Sequence, residues 1–380
     1  MKPAVAAVAV VALAALLPGI AEAHPRLAGT TPRGGAQLAH APRKVVVRLS
    51  EPATPVGDGL AVTGPDGLDV SRGPVIVSGT TLTRFVDARQ RGSYVVEWLV
   101  VGSDTHPARG SFLFSVGEPT RTTLPGHAIG GVAIMATGHW LSLVGFALGF
   151  GVVFAALLSG GMTKRCWQLV SAGIVLMIAA EPVALLGEMA ALAPSRLLDP
   201  SFAEDVLLTS YGHLAALRLG AAIGLWALAG AVRQSEPRAQ WLIPAAGMAV
   251  AFVYAGSAHR IASLPAPFTS QLAALHVAGF GAWLGCIFVA LRESRSRSLA
   301  KPAMLAAVTL VVTGSGLALA HVPGPSTLVE TAYGATLGVK LALVAAAFAL
   351  GAAARRRAEL AVALLALAAA SVLVSLVPPT

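Results

Sequence analysis

The sequence predicts a protein in two parts: an N-terminal all-β Greek-key barrel or sandwich, followed by an all-α polytopic membrane bundle of about eight helices. Three observations lead to this fold class. Only 12% of the 380 residues are charged and 56% are hydrophobic, whereas soluble domains carry about 25% charged residues. Short strand-like runs fill residues 24–117, and long apolar stretches fill residues 128–380. This composition excludes both a wholly water-soluble protein and a disordered chain.

Residues 1–23 have the pattern of a secretory signal peptide. Lys2 gives a positive start, residues 4–17 are almost all Ala, Val and Leu, and Ala21-Glu22-Ala23 supplies a small-x-small cleavage pattern. The apolar run is too short to span a bilayer core of about 30 Å comfortably. We therefore expect cleavage before His24, which leaves this residue with a free α-amine. The alternative is an uncleaved membrane anchor.

Residues 24–117 are predicted to form the β domain. Short runs rich in Val, Thr and aromatic residues alternate in polarity, and clusters of Gly, Pro, Asp and Ser separate them. Several short strands within about 95 residues favour a small sandwich or barrel, and residues 118–127 form a polar linker. The predicted strands are Lys44–Leu49, Gly59–Thr63, Thr81–Val86, Ser93–Val101 and Ser111–Val116.

Residues 128–380 are predicted to form the membrane domain. Its apolar stretches have the length that an α-helix needs to cross a bilayer. The eight predicted spans are 129–158, 167–192, 206–232, 241–258, 269–291, 302–321, 333–354 and 359–377.

The distribution of basic residues predicts the orientation of these spans. Alternate loops hold eleven Lys and Arg residues, and the intervening loops hold only Arg196 and Arg260. The positive-inside rule assigns the eleven to the cytoplasm and the β domain to the outer side. The net charge of +9 therefore serves membrane topology, and nucleic-acid binding is excluded. The eleven residues are Lys164, Arg165, Arg233, Arg238, Arg292, Arg295, Arg297, Lys301, Arg355, Arg356 and Arg357.

Three residues of the β domain form a candidate metal site. An amino-terminal His24 offers its amine and one ring nitrogen as a chelate. Asp104 and His106 stand two residues apart, so their side chains share a face on an extended segment. Three nitrogens and one oxygen suit a tetragonal Cu(II) ion. The alternative is that Asp104 caps a turn and both histidines are ordinary surface residues.

The β domain resembles the CopC family of periplasmic copper-binding proteins, in motifs that keep the family's order and spacing from His24 to about Val116. The resemblance implies a cupredoxin-like fold and a Cu(II) site at His24, Asp104 and His106, with Glu51 as a weaker candidate ligand. The matching stretches are His24–Leu27, Thr31-Pro32, Leu49–Pro52, Tyr94–Trp98, Ser103–Pro107 and Gly110–Phe112.

The membrane domain resembles the CopD family, whose members are polytopic inner-membrane proteins implicated in copper import. His276, followed by Trp283-Leu284-Gly285, matches the family's H-x(6)-W-x-G signature, although Cys286 replaces a usual second Gly. The resemblance implies a CopC–CopD fusion in the bacterial inner membrane, with the N-terminal domain in the periplasm. Further matching stretches are Ser257–His259, Thr313-Gly314, Thr331–Gly334 and Gly338–Leu341.

Polar residues inside the predicted spans favour a vestibule that opens outward. Ionisable residues in hydrocarbon are costly and usually face a cavity or a partner. Counting depth along each span puts these residues in its outer half or at its outer end. The alternatives are interfacial histidines, and pairing of a span-two glutamate with Arg218 or Lys340. The candidates for a membrane copper path are His139, His213, His259, His276, His321, Glu181 and Glu188.

Together these features predict capture of copper in the periplasm and its import across the inner membrane, as Cu(I) or Cu(II) within the membrane domain. The expected partners are the copper ion, the lipid bilayer and periplasmic or cytosolic copper chaperones. The alternatives are a haem- or copper-dependent membrane oxidoreductase and a copper buffer or sensor without transport. The sequence contains no P-loop and no recognisable catalytic pattern, so we expect no enzymatic activity.

Overall fold

A computed structural model describes residues 25–103, 105–122, 130–256, 266–293, 296–321 and 331–376. The chain divides into two compact units. The first unit contains the β domain together with Glu188–His213, and the second contains Val132–Gly187 and Leu214–Thr380. The segment Glu188–His213 follows the second predicted span, so its grouping with the β domain is a feature that the sequence did not predict.

The β domain is a sandwich of two four-stranded sheets, as the sequence predicts. One sheet has the strand order β1-β3-β6-β5 and the other has the order β2-β8-β7-β4. The pairs within each sheet are antiparallel, except that the short β2 runs parallel to β8. The strands are β1 (Leu27–Thr31), β2 (Gln37–Leu38), β3 (Lys44–Leu49), β4 (Ala53–Thr63), β5 (Ser71–Ser78), β6 (Thr81–Val86), β7 (Gly92–Gly102) and β8 (Pro107–Val116).

All five predicted strands lie within observed strands, and three strands were not predicted. The missed strands are β1, β2 and β5. β2 has only two residues, and β1 and β5 are mostly exposed or half-buried, so apolar alternation is weak in all three. Hydrogen bonds between Ser93 and Thr120 also attach the first part of the predicted linker to β7.

Strands β7 and β8 supply the centre of the sandwich core. Tyr94 pairs with Phe114 across the two strands, and their rings stack with centroids 5.1 Å apart. Every second residue of a strand faces the same side, so Val96 and Trp98 follow Tyr94 into the core. The Trp98 indole lies over Gly110, where an added Cβ would come within 2.7 Å of the ring.

The second unit is helical, and the first predicted span is one helical run with a π-helical turn at Ala147–Gly151. Helix α3 begins in this helical unit. Its last residues, from Glu188 onward, belong to the unit that contains the β domain. The short helix α4 lies within the segment Glu188–His213. The helices are α1 (Gly130–Phe146), α2 (Val152–Leu158), α3 (Lys164–Leu192), α4 (Pro200–Leu207), α5 (Ser210–Val232), α6 (Pro237–Gln240), α7 (Leu242–Ala255), α8 (Ala266–Glu293), α9 (Ser296–His321), α10 (Ala332–Ala352) and α11 (Arg356–Val374).

Among the residues that the structure describes, seven helices are long and apolar enough to cross a membrane, one fewer than the eight predicted spans. The exception is the fourth stretch, where α7 has 14 residues and a length of about 21 Å. Trp241, whose backbone is helical, joins α7 to α6. Counting from Pro237 to Ala255, the whole helical stretch is therefore about 28 Å long, close to the thickness of the hydrocarbon core.

Close backbone contact fixes the first span against α8. Gly151, at the end of the π-helical turn, lies directly against Gly281 and Gly285. These two glycines are four residues apart, and glycines at this spacing let two membrane helices approach closely. A Cβ added at Gly285 would overlap backbone atoms of Gly151. The contact therefore requires glycine on both helices.

We predict that Gly285→Ala destabilises the bundle, because the added methyl group forces the two helices apart at a cost of about 1–3 kcal/mol. Thermal unfolding of the detergent-solubilised protein should show a Tm lower by several degrees. Gly220→Ala is the matched control, because a Cβ at Gly220 in α5 meets no atom within 4 Å. Equal Tm values for the two variants would contradict the packing argument.

Candidate functional site

The hairpin between β7 and β8 carries His106. Its turn is closed by two backbone hydrogen bonds: the Gly102 N–H donates to the His106 carbonyl at 3.0 Å, and the Thr105 N–H donates to the Gly102 carbonyl at 3.1 Å. Thr105 takes a left-handed backbone conformation with φ of 67°. His106 is only 4% exposed, although it lies in a turn. Asp104, the predicted ligand beside it, lies outside the described residues.

Backbone contacts bring three segments of the predicted site to one end of the sandwich. Arg26 and Ser50 exchange hydrogen bonds: the Ser50 N–H donates to the Arg26 carbonyl at 2.8 Å, and the Arg26 N–H donates to the Ser50 hydroxyl at 2.9 Å. Ala53, the first residue of β4, pairs with Gly102 at the end of β7. The half-buried Glu51 lies between these two contacts. The hairpin, the Glu51 segment and the chain leading to position 24 therefore adjoin one another.

Two predicted ligands, His24 and Asp104, lie outside the described residues. Within the described part of the chain, no group of three or more His, Cys, Asp or Glu side chains is arranged to hold a metal ion. Cys166 and Cys286 are both buried and form no disulfide. The hairpin and Glu51 are thus the described parts of the candidate site.

The segment Glu188–His213 packs against the β domain and contacts the hairpin directly. The Ser210 hydroxyl donates a hydrogen bond to the Gly102 carbonyl at 2.5 Å, and Arg109 of β8 donates to the Leu192 carbonyl at 3.3 Å. His213 is exposed and lies three residues after Ser210, hence on the same side of α5. The structure therefore groups His213 with the β domain.

Local side-chain bonds order this segment. Asp199 caps α4 by accepting hydrogen bonds from the backbone and hydroxyl of Ser201, at 3.0 and 2.6 Å. It also pairs with Arg196 at 2.7 Å. The Ser201 hydroxyl and then the Arg196 guanidinium lower the pKa of Asp199 to about 2. Arg196 in turn stacks over the Phe202 ring at 4.7 Å.

The helical unit contains a cavity of about 170 Å³ that is lined by many polar side chains and is here called the polar cavity. It brings together three of the predicted membrane candidates, His139, Glu181 and His276, together with Lys340. The polar side chains that line it come from seven helices. They are His139, Ser142, Glu181, Arg218, Tyr254, His276, Tyr333, Lys340 and Ser371.

The other membrane candidates are not in this cavity as described. His213 and Glu188 belong to the unit that contains the β domain, and Glu188 is fully buried there. His259 and the side chain of His321 lie outside the described residues. Counting depth along each span placed these residues at similar levels, but it did not tell which neighbours each residue would contact.

A buried ion pair and a buried hydroxyl pair line one side of the polar cavity. The Arg218 Nε lies 3.2 Å from Glu181 Oε2, and both side chains are at most 8% exposed. The hydroxyls of Ser142 and Tyr254 lie 2.5 Å apart. The pairing of Glu181 with Arg218 was one of the alternatives that the sequence left open.

His276 is held by α9 in a fixed orientation. The Thr313 hydroxyl donates its proton to the Thr309 carbonyl at 2.6 Å. It therefore accepts a hydrogen bond from His276 Nδ1, which lies 2.9 Å away. In this tautomer Nε2 carries a lone pair, as a metal-ligating histidine requires. Gly314 makes room for the ring, because a Cβ there would lie 2.9 Å from His276 Cε1.

A second cavity of about 240 Å³, here called the apolar cavity, adjoins the first and shares His276 and Lys340 with it. Its other walls are almost entirely apolar and include Phe280 and Trp283. Trp283 packs edge-on against Phe348, with ring centroids 4.9 Å apart. His276 and Trp283, seven residues apart on α8, both line this cavity.

The chain thus joins a two-sheet β-sandwich to long helices that are apolar enough to cross a membrane. The CopC domain family matches residues 27–117. The chain is 36% identical over 110 residues to copper resistance protein C of Pseudomonas syringae pv. tomato, covering 27% of this chain and 86% of that protein. Through this domain, the chain belongs to the CopC family.

A second relative and a solved structure are also similar to part of this chain. Copper resistance protein C of Escherichia coli is 33% identical over 107 residues, covering 25% of this chain and 83% of that protein. The crystal structure of CopC from Methylosinus trichosporium OB3b has 25% sequence identity and a TM-score of 0.23, covering 27% of this chain and all of that one. The helical part of the chain lies outside the residues that the CopC domain family matches.

We predict that Thr313→Val changes the tautomer of His276, because valine cannot accept the Nδ1 hydrogen bond. Nitrogen-15 spectra of histidine-labelled protein should show changed chemical shifts of the His276 ring nitrogens. The His276 signals are assigned by their loss in His276→Gln. Thr313→Ser keeps the hydroxyl and should leave the spectrum unchanged. Identical spectra for the valine variant and the unmodified protein would refute this role of Thr313.

Proposed function

We propose that this protein captures Cu(II) with its N-terminal domain in the periplasm and imports copper through its helical domain in the inner membrane. One observation carries the proposal. In a domain of the CopC family, which includes proteins named for copper resistance, backbone contacts join the hairpin of His106, the Glu51 segment and the chain next to His24. Copper is the cargo of the protein in this proposal.

In the capture site, His24 supplies its α-amine and one ring nitrogen after removal of the signal peptide. Asp104 and His106 complete the donor set, and Glu51 is an additional ligand. Arg26 is tied to Ser50 by two hydrogen bonds, and covalent geometry keeps the Cα of His24 within about 7 Å of the Cα of Arg26. Three nitrogens and one oxygen suit the tetragonal geometry of Cu(II).

Transfer toward the membrane domain begins at the first turn of α5. Ser210 contacts the hairpin through the Gly102 carbonyl, and His213 lies one turn later on the same helix. Arg218, further along α5, lines the polar cavity. Because both domains belong to one chain, transfer is intramolecular, and the effective concentration of the donor at the acceptor is high.

Within the membrane domain, we propose His276 as a ligand of the transported copper ion, consistent with the CopD resemblance of this part of the chain. Thr313 holds its Nδ1 and leaves Nε2 as the donor. His139 lines the same cavity and contributes a second imidazole to its described lining. His259, His321, Glu181 and Glu188 remain weaker candidates.

The proposed topology has the β domain in the periplasm and the eleven basic loop residues in the cytoplasm. This alternation requires the α6–α7 stretch to cross the membrane, since seven crossings would move the loop containing Arg292 to the outer side. The length of this stretch, about 28 Å, is compatible with a crossing.

We predict that His106→Ala weakens Cu(II) binding by the full-length protein at least tenfold, because one of two imidazole ligands is lost. Titration followed by electron paramagnetic resonance should also show altered copper parameters. His40→Ala is the matched control, since His40 is an exposed histidine of the same domain. Unchanged Cu(II) affinity in His106→Ala would overturn the capture site.

We predict that His276→Ala abolishes copper uptake into proteoliposomes while Cu(II) capture by the N-terminal domain is retained. Leu275→Ala, which changes an exposed neighbour on the same helix, should leave uptake intact. Unchanged uptake in His276→Ala would refute the membrane path and leave the capture site standing. A Soret band in the purified protein would favour a haem-dependent oxidoreductase instead.

A further inference from the structure

Lys340 of α10 brings a positive charge to the boundary between the polar and apolar cavities. Within the described residues, its ammonium group makes no hydrogen bond or ion pair. A lysine at this depth of an apolar bundle is costly unless it meets an opposite charge or water. The positive charge of Lys340 therefore requires a negative charge or water nearby.

The described side chains of the polar cavity do not balance it. Arg218, Glu181 and Lys340 are the described Arg, Lys, Asp and Glu residues that line this cavity. Glu181 is committed to Arg218, with 3.2 Å between Nε and Oε2, and both side chains are buried. These two charges cancel, so among the described residues that line the cavity one positive charge remains, that of Lys340.

We propose that the polar cavity binds a small monovalent anion, of the size of a halide or formate ion, at the ammonium group of Lys340. The cavity volume of about 170 Å³ exceeds the roughly 30 Å³ that one water molecule occupies. It therefore accommodates such an anion together with a few waters. The apolar walls of the second cavity, which Lys340 also lines, lower the local dielectric constant and strengthen the attraction between the two charges.

The orientation of His276 is consistent with this assignment. Its Nδ1–H is used by Thr313, and Nε2 carries a lone pair, so the ring offers no free donor to an anion. An anion thus binds Lys340, while Nε2 stays available to a cation. The same bound anion reduces the repulsion between Lys340 and a copper ion at His276, a consequence that rests on the proposed function. Anion binding itself does not require copper.

The test uses chloride as the probe, with the copper-free, full-length protein in nanodiscs and a gluconate buffer. Chloride-35 NMR should show saturable line broadening with the unmodified protein. Lys340→Met should reduce the broadening to background, and Lys340→Arg, which keeps the charge, should retain it. Lys301→Met removes an exposed lysine and should have no effect. Competition with bromide and with formate then identifies whether the site prefers a halide or a carboxylate.

Several results would overturn the proposal. These are no saturable broadening with the unmodified protein, equal broadening in Lys340→Met, or equal loss in Lys301→Met. If Lys340→Met and a second neutral variant, Lys340→Gln, both aggregate, bromide-soaked crystals of the unmodified protein decide. An anomalous peak beside the Lys340 Nζ supports the site, and its absence refutes it. Loss of copper uptake with chloride binding intact would instead count against the proposed function alone.

Discussion

The candidate capture site depends on the contacts that the backbone of Gly102 makes. Its N–H closes the hairpin onto the His106 carbonyl, and its carbonyl accepts hydrogen bonds from both Thr105 and Ser210. The same residue pairs with Ala53, which begins the strand after Glu51. The backbone of one residue thus closes the turn that carries a candidate ligand, connects it to a second ligand segment and ties it to the first turn of α5.

Much of the fold could be predicted from the sequence because its periodic signals are strong. β7 and β8 are rich in Val and aromatic residues that fill the sandwich core, and every predicted span contains a helix. The weakly buried β1, β2 and β5 gave no such signal. The predicted count is eight spans and seven of the described helices are long enough, because the fourth stretch is divided between α6 and α7, and α7 alone has only 14 residues. The apolar composition of this stretch does not indicate where one helix ends and the next begins.

The candidate site was less predictable, because contact between helices depends on rotation about each axis as well as on depth. Depth along the spans grouped His139, Glu181 and His276, which line one cavity, with His213 and Glu188, which lie in the unit of the β domain. The sequence did not predict that Thr313 orients His276, although Thr313-Gly314 is one of the stretches that resemble the CopD family. That role requires both the spacing along α9 and its contact with α8.

Glycine has two opposite uses in the helical unit. At Gly151, Gly281 and Gly285 it removes side chains so that two backbones meet, and this contact excludes solvent between them. At Gly314 it removes a side chain so that an imidazole fits between α8 and α9 beside two cavities. The close contact at Gly281 and Gly285 and the cavities at His276 thus both lie along α8, about one or two helical turns apart. A bundle that is tight near Gly285 and open at His276 has the rigid support that a ligand site requires, because the side chains around the cavity are held by packed helices.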